Sequence, residues 1–74
     1  MSKLPTDVKP LELIKALEKL GFVEKKVRGS HRRLVHPDGR WTQAAVHPKP
    51  IPSGTLRKIL RQSEITAEQL EENL

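Results

Sequence analysis

The sequence contains no cysteine, which excludes disulfide bonds, thiol nucleophiles and metal sites built from thiolates. It also lacks an apolar run that approaches the roughly 20 residues of a membrane-spanning helix. The start of the chain, from Met1 to Asp7, has no signal-peptide apolar core. We therefore expect a cytoplasmic protein without a membrane anchor, which is stabilised by packing alone.

Aromatic and acidic residues are also scarce. Phe22 and Trp41 are the only phenylalanine and tryptophan and there is no tyrosine, too few for a platform on which successive nucleobases stack. From Lys25 to Arg61, ten lysines and arginines accompany a single acid, Asp38. The rest of the chain holds four basic and eight acidic residues. This segregation indicates a polyanionic partner more than a need for solubility.

The length sets a limit on the kind of site that the protein can build. A chain of 74 residues forms one domain, whose core is too small to bury a cofactor and a substrate together. We therefore expect a single domain over residues 1–74, with an open site and no cofactor.

The spacing of apolar residues and the capping signals predict three helices. Leucine and isoleucine recur at helical spacing from Pro10 to Leu20, and Gly21 suits the position just beyond the C-cap. A second, amphipathic and cationic helix is predicted to begin with Ser53 as its N-cap. Its predicted buried stripe comprises Leu56, Ile59 and Leu60. Thr66 and Gln69 form a capping box that introduces a last short helix.

Alternating residues and turn signals predict three antiparallel strands between the first two helices. The predicted strands are Phe22–Arg28, His31–His36 and Trp41–His47, separated by turns at Gly29–Ser30 and Pro37–Gly39. Alternation puts three residues of the last strand on one face: Thr42, Ala44 and Val46. The order of elements predicts an α+β sandwich, with two helices on one face of a three-stranded antiparallel sheet and a short C-terminal helix.

The triplet Gly29-Ser30-His31 lies inside the most basic stretch of the chain. Histidine can give or take a proton near neutral pH. Gly29 permits close backbone approach to a phosphate, and Ser30 can offer a hydroxyl or an amide. The neighbouring guanidinium groups, which suit phosphate, belong to Arg28, Arg32 and Arg33. The combination suggests RNA cleavage with His31 as the acid or base; the alternative is a turn histidine that only contacts solvent.

Five segments, in their order and spacing, resemble the HicA (YcfA-like) toxin family over nearly the whole chain. They are Ala16–Phe22, Gly29–His31, His36–Gly39, Val46–His47 and Gly54–Gln62. The chain departs from the family pattern at Ala44–Ala45, where the family often has valine and proline. This departure concerns the packing of the third strand and leaves the site unchanged.

The resemblance implies a fold similar to a double-stranded RNA-binding domain and an endoribonuclease (mRNA interferase) activity on messenger RNA. It also implies a HicB-type antitoxin partner, a role in the stress response of a toxin–antitoxin system, and His31 as the catalytic residue. We expect the reaction to need no metal. The residues expected to bind RNA are Arg28, Gly29, Ser30, Arg32, Arg33, Arg57, Lys58 and Arg61. The alternatives are a non-catalytic RNA-binding module with the same basic surface and a protein that binds only an acidic protein partner.

Several of these side chains have two interpretations. His47 is either a second proton carrier or a strand-end residue, whereas His36 is expected to be structural. Ser53–Thr55 either binds phosphate at the helix start or only caps the helix. Trp41 either stacks on a base or covers the edge of the sheet. The cationic helix face either contacts RNA or is solvated; it comprises Arg57, Lys58 and Arg61. A three-histidine metal site is disfavoured because the spacing matches no familiar ligand pattern.

Overall fold

A computed structural model describes residues 4–74, without the side chains of Lys26 and Val27. The first three residues of the expected domain lie outside this range. In chain order the elements are α1 Pro10–Lys19, β1 Val23–Arg28, β2 His31–Val35, β3 Trp41–Ala45, α2 Ser53–Ser63 and α3 Ala67–Glu72. The predicted α+β arrangement is therefore confirmed. Within residues 4–74, every helix is too short or too polar to cross a lipid bilayer.

The three strands form one antiparallel sheet in the order β1-β2-β3. His31, the first residue of β2, pairs with Arg28 on β1 and with Ala45 on β3. The predicted strands extend too far, because β2 ends at Val35 and β3 ends at Ala45. Beyond Val35 the chain turns, and inside that turn Nδ1 of His36 accepts a hydrogen bond from the N–H of Asp38.

One face of the sheet packs against the helices. Leu34, Thr42 and Ala44 are buried there, as the predicted alternation of β3 requires. The small Ala44 side chain is only 5 % exposed, so the departure from the family pattern is accommodated in the core. The hydroxyl of Thr42 donates to Oε1 of Gln62 at 2.9 Å, which satisfies the buried polar group and ties β3 to α2.

The end of α1 is closed by a Schellman motif. The N–H of Gly21 donates to the carbonyl of Glu18, and the N–H of Phe22 donates to the carbonyl of Leu17, both at 3.0 Å. Gly21 has a φ of +101°, which L side chains rarely adopt. A Cβ at Gly21 would lie 2.9 Å from Nε2 of His36. The predicted glycine beyond the C-cap is confirmed, and this helix end packs against the β2–β3 turn.

The start of α2 differs from the prediction. Ser53 is the first helical residue and Pro52 is the N-cap, which makes no side-chain capping bond. The proline ring fixes φ at −58°, and the preceding N–H of Ile51 donates to the carbonyl of Val8 at 2.7 Å. These restraints hold the connection so that the helix begins one residue earlier than a serine cap would allow.

The capping box of α3 is confirmed. Oγ1 of Thr66 accepts from the N–H of Gln69 at 3.0 Å, and Oε1 of Gln69 accepts from the N–H of Thr66 at 2.8 Å. Ile65 and Leu70, on either side of this cap, are both buried.

Candidate functional site

His31 lies at the start of β2, directly after the β1–β2 turn. Gly29 in that turn has a φ of +54° with open space around the position of a Cβ, so glycine is favoured there by backbone conformation. The His31 side chain is exposed. Within residues 4–74 it makes no hydrogen bond or ion pair. The site therefore presents an imidazole whose two nitrogens are accessible to a bound molecule.

The face of the sheet away from the helices, here called the open face, carries His31 and a second aromatic group. Alternation and register put these residues on it: Val23, Lys25, His31, Arg33, Val35, Trp41, Gln43 and Ala45. Trp41 is 48 % exposed. The guanidinium carbon of Arg33 lies 5.1 Å from the centroid of the Trp41 ring, within the range of a cation–π contact.

A groove of about 270 Å³ runs between β3 and α2 and connects His31 with the helix. It is lined on the helix side by Thr55, Lys58 and Gln62, and on the sheet side by Gln43 and Trp41. The structure thus brings together His31 and Lys58 from the predicted set. It also adds Gln43 and Gln62, which sequence reasoning missed because only the docking of α2 beside β3 gathers them, and Thr55 from the helix start that the sequence analysis considered for phosphate.

Three of the predicted RNA-binding arginines lie away from this groove. Arg32 follows His31 on the strand and faces the other way; its Nε lies 3.0 Å from Oε1 of Glu24, and its Nη1 donates to the carbonyl of Gly29 at 2.9 Å. Arg57 lines a separate depression with Leu4 and residues around it, and Arg61 follows one helical turn later. Arg32 therefore supports the turn before His31, while Arg57 lies on another side of α2 and Arg61 does not line the groove.

The other histidines have different surroundings. The His36 ring packs edge-on against Phe22, with centroids 5.0 Å apart. Its Nδ1 accepts from the N–H of Asp38 at 3.2 Å and lies 3.0 Å from Oδ1 of the same residue. His47 is exposed and lines an adjoining groove that shares Gln43 and Thr55 with the groove of His31. These contacts favour a structural position for His36 and leave His47 beside the site.

Arg40 is a structural residue that sequence reasoning missed. Its Nε donates to Oδ2 of Asp38 at 2.8 Å, and its Nη1 donates to the carbonyl of Ser63 at 2.9 Å. The backbone N–H of Arg40 also donates to Asp38, and this bond, with the nearby guanidinium, lowers the pKa of the Asp38 carboxyl. The sequence predicted the turn at Pro37–Gly39, but it gave no sign of the long-range bond from Arg40 to the end of α2.

The site offers charge and proton transfer through its side chains. In the part of the chain that the structure describes, no three histidine, aspartate or glutamate side chains come together in a way that could hold a metal ion. What the groove contains is one free imidazole, an ammonium group and neutral amides.

The geometry agrees with a comparison against known families. A family model of the HicA toxin of bacterial toxin–antitoxin systems matches residues 11–65, which is well over half of the chain. The chain belongs to the HicA toxin family. The HicA match extends from α1 to the second residue after α2, and so includes His31 and the groove between β3 and α2. This HicA protein is thus the toxin of a toxin–antitoxin system and has an antitoxin as its partner. No curated protein matches the chain.

Proposed function

We propose that this HicA toxin is a metal-independent endoribonuclease that cuts messenger RNA with His31 as a general acid or base. The observation that carries the proposal is the free, exposed imidazole of His31 in a groove that the basic side chain of Lys58 also lines. Cleavage without a metal requires removal of the ribose 2′-hydroxyl proton, stabilisation of an anionic phosphorane and protonation of the leaving 5′-oxygen. His31 performs the first or the last of these steps.

The basic residues near His31 supply the charge that the phosphorane requires. Arg28 is exposed and pairs with His31 across the β1–β2 ladder. Arg33 lies on the open face, and Lys58 lines the groove. Gly29 and Ser30 in the turn can bring backbone amides to a phosphate oxygen. The sequence also predicted that Arg57 and Arg61 contact RNA. Such contacts require an RNA strand that continues around α2.

The mechanism needs a second proton carrier for the step that His31 does not perform. His47 is the histidine available for this role, because it lines the groove that adjoins that of His31. The exposed position of His31 also leaves the site accessible to any RNA in the cell. We propose that a HicB-type antitoxin silences it by covering the open face with an acidic surface, in competition with RNA.

Analysis of the ends of the cleaved RNA tests the reaction. The use of the substrate's own 2′-hydroxyl predicts a 2′,3′-cyclic phosphate or a 3′-phosphate, together with a 5′-hydroxyl, and full activity in the presence of a metal chelator. A 5′-phosphate product, or activity that the chelator abolishes and a divalent ion restores, would contradict this mechanism. RNA binding with no cleavage of any RNA would favour the non-catalytic RNA-binding module.

A further inference from the structure

We propose that Trp41 and Arg33 form a nucleobase subsite on the open face, which holds a base of the bound RNA near the cleaved bond. The inference rests on the proposed ribonuclease function. Trp41 is 48 % exposed although tryptophan is usually well buried. The exposed ring lies on the same face of the sheet as His31, and both residues line one groove.

The register sets the distance between this subsite and His31. Ala45 pairs with His31, and Trp41 precedes Ala45 by four residues on β3, which corresponds to about 13 Å along a strand. A stacked nucleic acid strand advances about 3.4 Å per nucleotide. The base on Trp41 therefore lies within about four nucleotides of the cleaved bond, and fewer where the strand is extended.

The surroundings of Trp41 favour a nucleotide over an apolar protein segment. Its groove is lined by the amides of Gln43 and Gln62 and by the ammonium group of Lys58. A second groove of about 270 Å³ continues past the ring, beside Gly39. A tryptophan that anchors a protein partner is normally enclosed by groups that exclude water. Here the ring is half-exposed between two grooves that carry amides and the basic side chains of Lys58 and Arg40, together with one acid, Glu64. Stacking on the open ring supplies affinity, and the amides can contact the edges of a base.

Arg33 gives the subsite its second component. Its guanidinium carbon lies over the Trp41 ring, 5.1 Å from the centroid, so the cation covers one face of the ring and leaves the other face for a base. A guanidinium plane can also stack on a base or bind the phosphate that follows it. The pair thus couples one base to one backbone contact, which favours single-stranded RNA because the bases of a duplex are stacked on each other.

Trp41 is the only tryptophan in the sequence, so its fluorescence reports on the subsite alone. The direct test titrates the His31→Ala variant with a short single-stranded oligoribonucleotide of mixed sequence, while fluorescence anisotropy of the labelled RNA measures binding. Stacking predicts that the tryptophan emission is quenched in parallel with binding. Full RNA binding with unchanged emission would overturn the subsite.

The kinetic test uses Trp41→Ala, Trp41→Phe and Val23→Ala. Val23 is a matched control because it is 53 % exposed on the same face but lies on the far strand, β1. Loss of stacking predicts a decrease in kcat/KM of about 5- to 150-fold for Trp41→Ala, a smaller loss for Trp41→Phe and no change for Val23→Ala. In wild type, an abasic nucleotide at one position near the cleaved bond should cause a similar loss, and in Trp41→Ala it should have no further effect.

The outcomes separate this inference from the proposed function. Quenching without cleavage of any RNA would contradict the ribonuclease and support the subsite. Normal cleavage by Trp41→Ala, with weakened binding of the antitoxin, would assign the ring to the protein partner and overturn the subsite.

Discussion

Two histidines five residues apart, His31 and His36, have opposite surroundings. The side chain of His31 is exposed at the start of β2 and makes no hydrogen bond within residues 4–74. The His36 ring packs on Phe22, and its Nδ1 accepts a hydrogen bond from the N–H of Asp38 in the β2–β3 turn. The same side chain is thus available for chemistry in one place and serves packing in the other.

The difference comes from what surrounds each ring. The clasp around His36, defined as Gly21, Phe22, His36, Asp38 and Arg40, joins the end of α1 to the β2–β3 turn and, through Arg40, to the end of α2. In the part of the chain that the structure describes, the cations of the open face form no ion pair, and Arg33 contacts only the Trp41 ring on the neighbouring strand. We conclude that the clasp stabilises the fold, while the open face is left free to bind.

The largest expected effect concerns the antitoxin. With the toxin saturated by its antitoxin, we expect cleavage to fall to background, because the open face and His31 are covered. Modification with a histidine-selective reagent, read by mass spectrometry, should label His31 in the free toxin and not in the complex. His36, in the β2–β3 turn, serves as the internal reference. Labelling of His31 in a complex that still cleaves RNA at the free rate would refute occlusion.

A substitution in the clasp should affect stability without affecting chemistry. Gly21→Ala puts a Cβ 2.9 Å from Nε2 of His36 and forces a side chain into a φ of +101°. We expect a loss of about 1–3 kcal/mol in the free energy of unfolding, measured by urea denaturation, with unchanged cleavage per folded molecule. Gly54→Ala is the matched control, since a Cβ there meets open space. Equal stability of the two variants would show that the clasp is not tight.

A pH-dependent effect is expected at Asp38. Its pKa is lowered from the ordinary value of 3.8, first by the backbone bond from Arg40. A lowered pKa in the folded state stabilises the fold above the ordinary value, and this contribution is lost as the pH falls through the folded-state pKa. Asp38→Asn should therefore melt below wild type near neutral pH, and the gap should narrow as the pH falls below the ordinary value of 3.8 and through the folded-state pKa. A gap that stays constant with pH would contradict the prediction.

The smallest effect separates the two flanks of α2. Lys58 lines the groove of His31, whereas Arg61 does not. Lys58→Gln should reduce the slope of log binding constant against log salt by about 0.7 for single-stranded RNA. Arg61→Gln is the matched control and should leave the slope unchanged for an oligonucleotide that fills only the groove. The opposite order would move the RNA to the other flank.

The elements of the fold were predictable because their signals are local. The glycine that ends α1 and the Thr66–Gln69 box are read from neighbouring residues, and the structure confirms both. The predicted N-cap of α2 was wrong, because Pro52 occupies the N-cap position that was expected for Ser53. The position of His31 after a Gly-Ser turn was also readable from the chain.

The composition of the site was less predictable, because distant elements assemble it. The bond between Thr42 and Gln62 and the bond from Arg40 to Ser63 each join residues 20 or more positions apart, and no local pattern announces them. Charge alone grouped Arg32 with Arg33, although alternation along β2 puts them on opposite faces. The carboxylate of Glu24 forms an ion pair with the guanidinium of Arg32. Only the strand register between β1 and β2 reveals this pair.

The central claim is that the free histidine performs the chemistry and the clasped one holds the fold. The most direct test measures single-turnover cleavage of one RNA at saturating protein for His31→Ala and His36→Ala, with melting temperatures and RNA affinities measured beside the rates. We expect His31→Ala to lose about 10²–10⁴-fold in rate with little change in melting temperature or affinity. His36→Ala should melt lower yet cleave at the wild-type rate per folded molecule. A His31→Ala variant that cleaves near the wild-type rate, or a folded His36→Ala variant that loses as much as His31→Ala, would contradict the account.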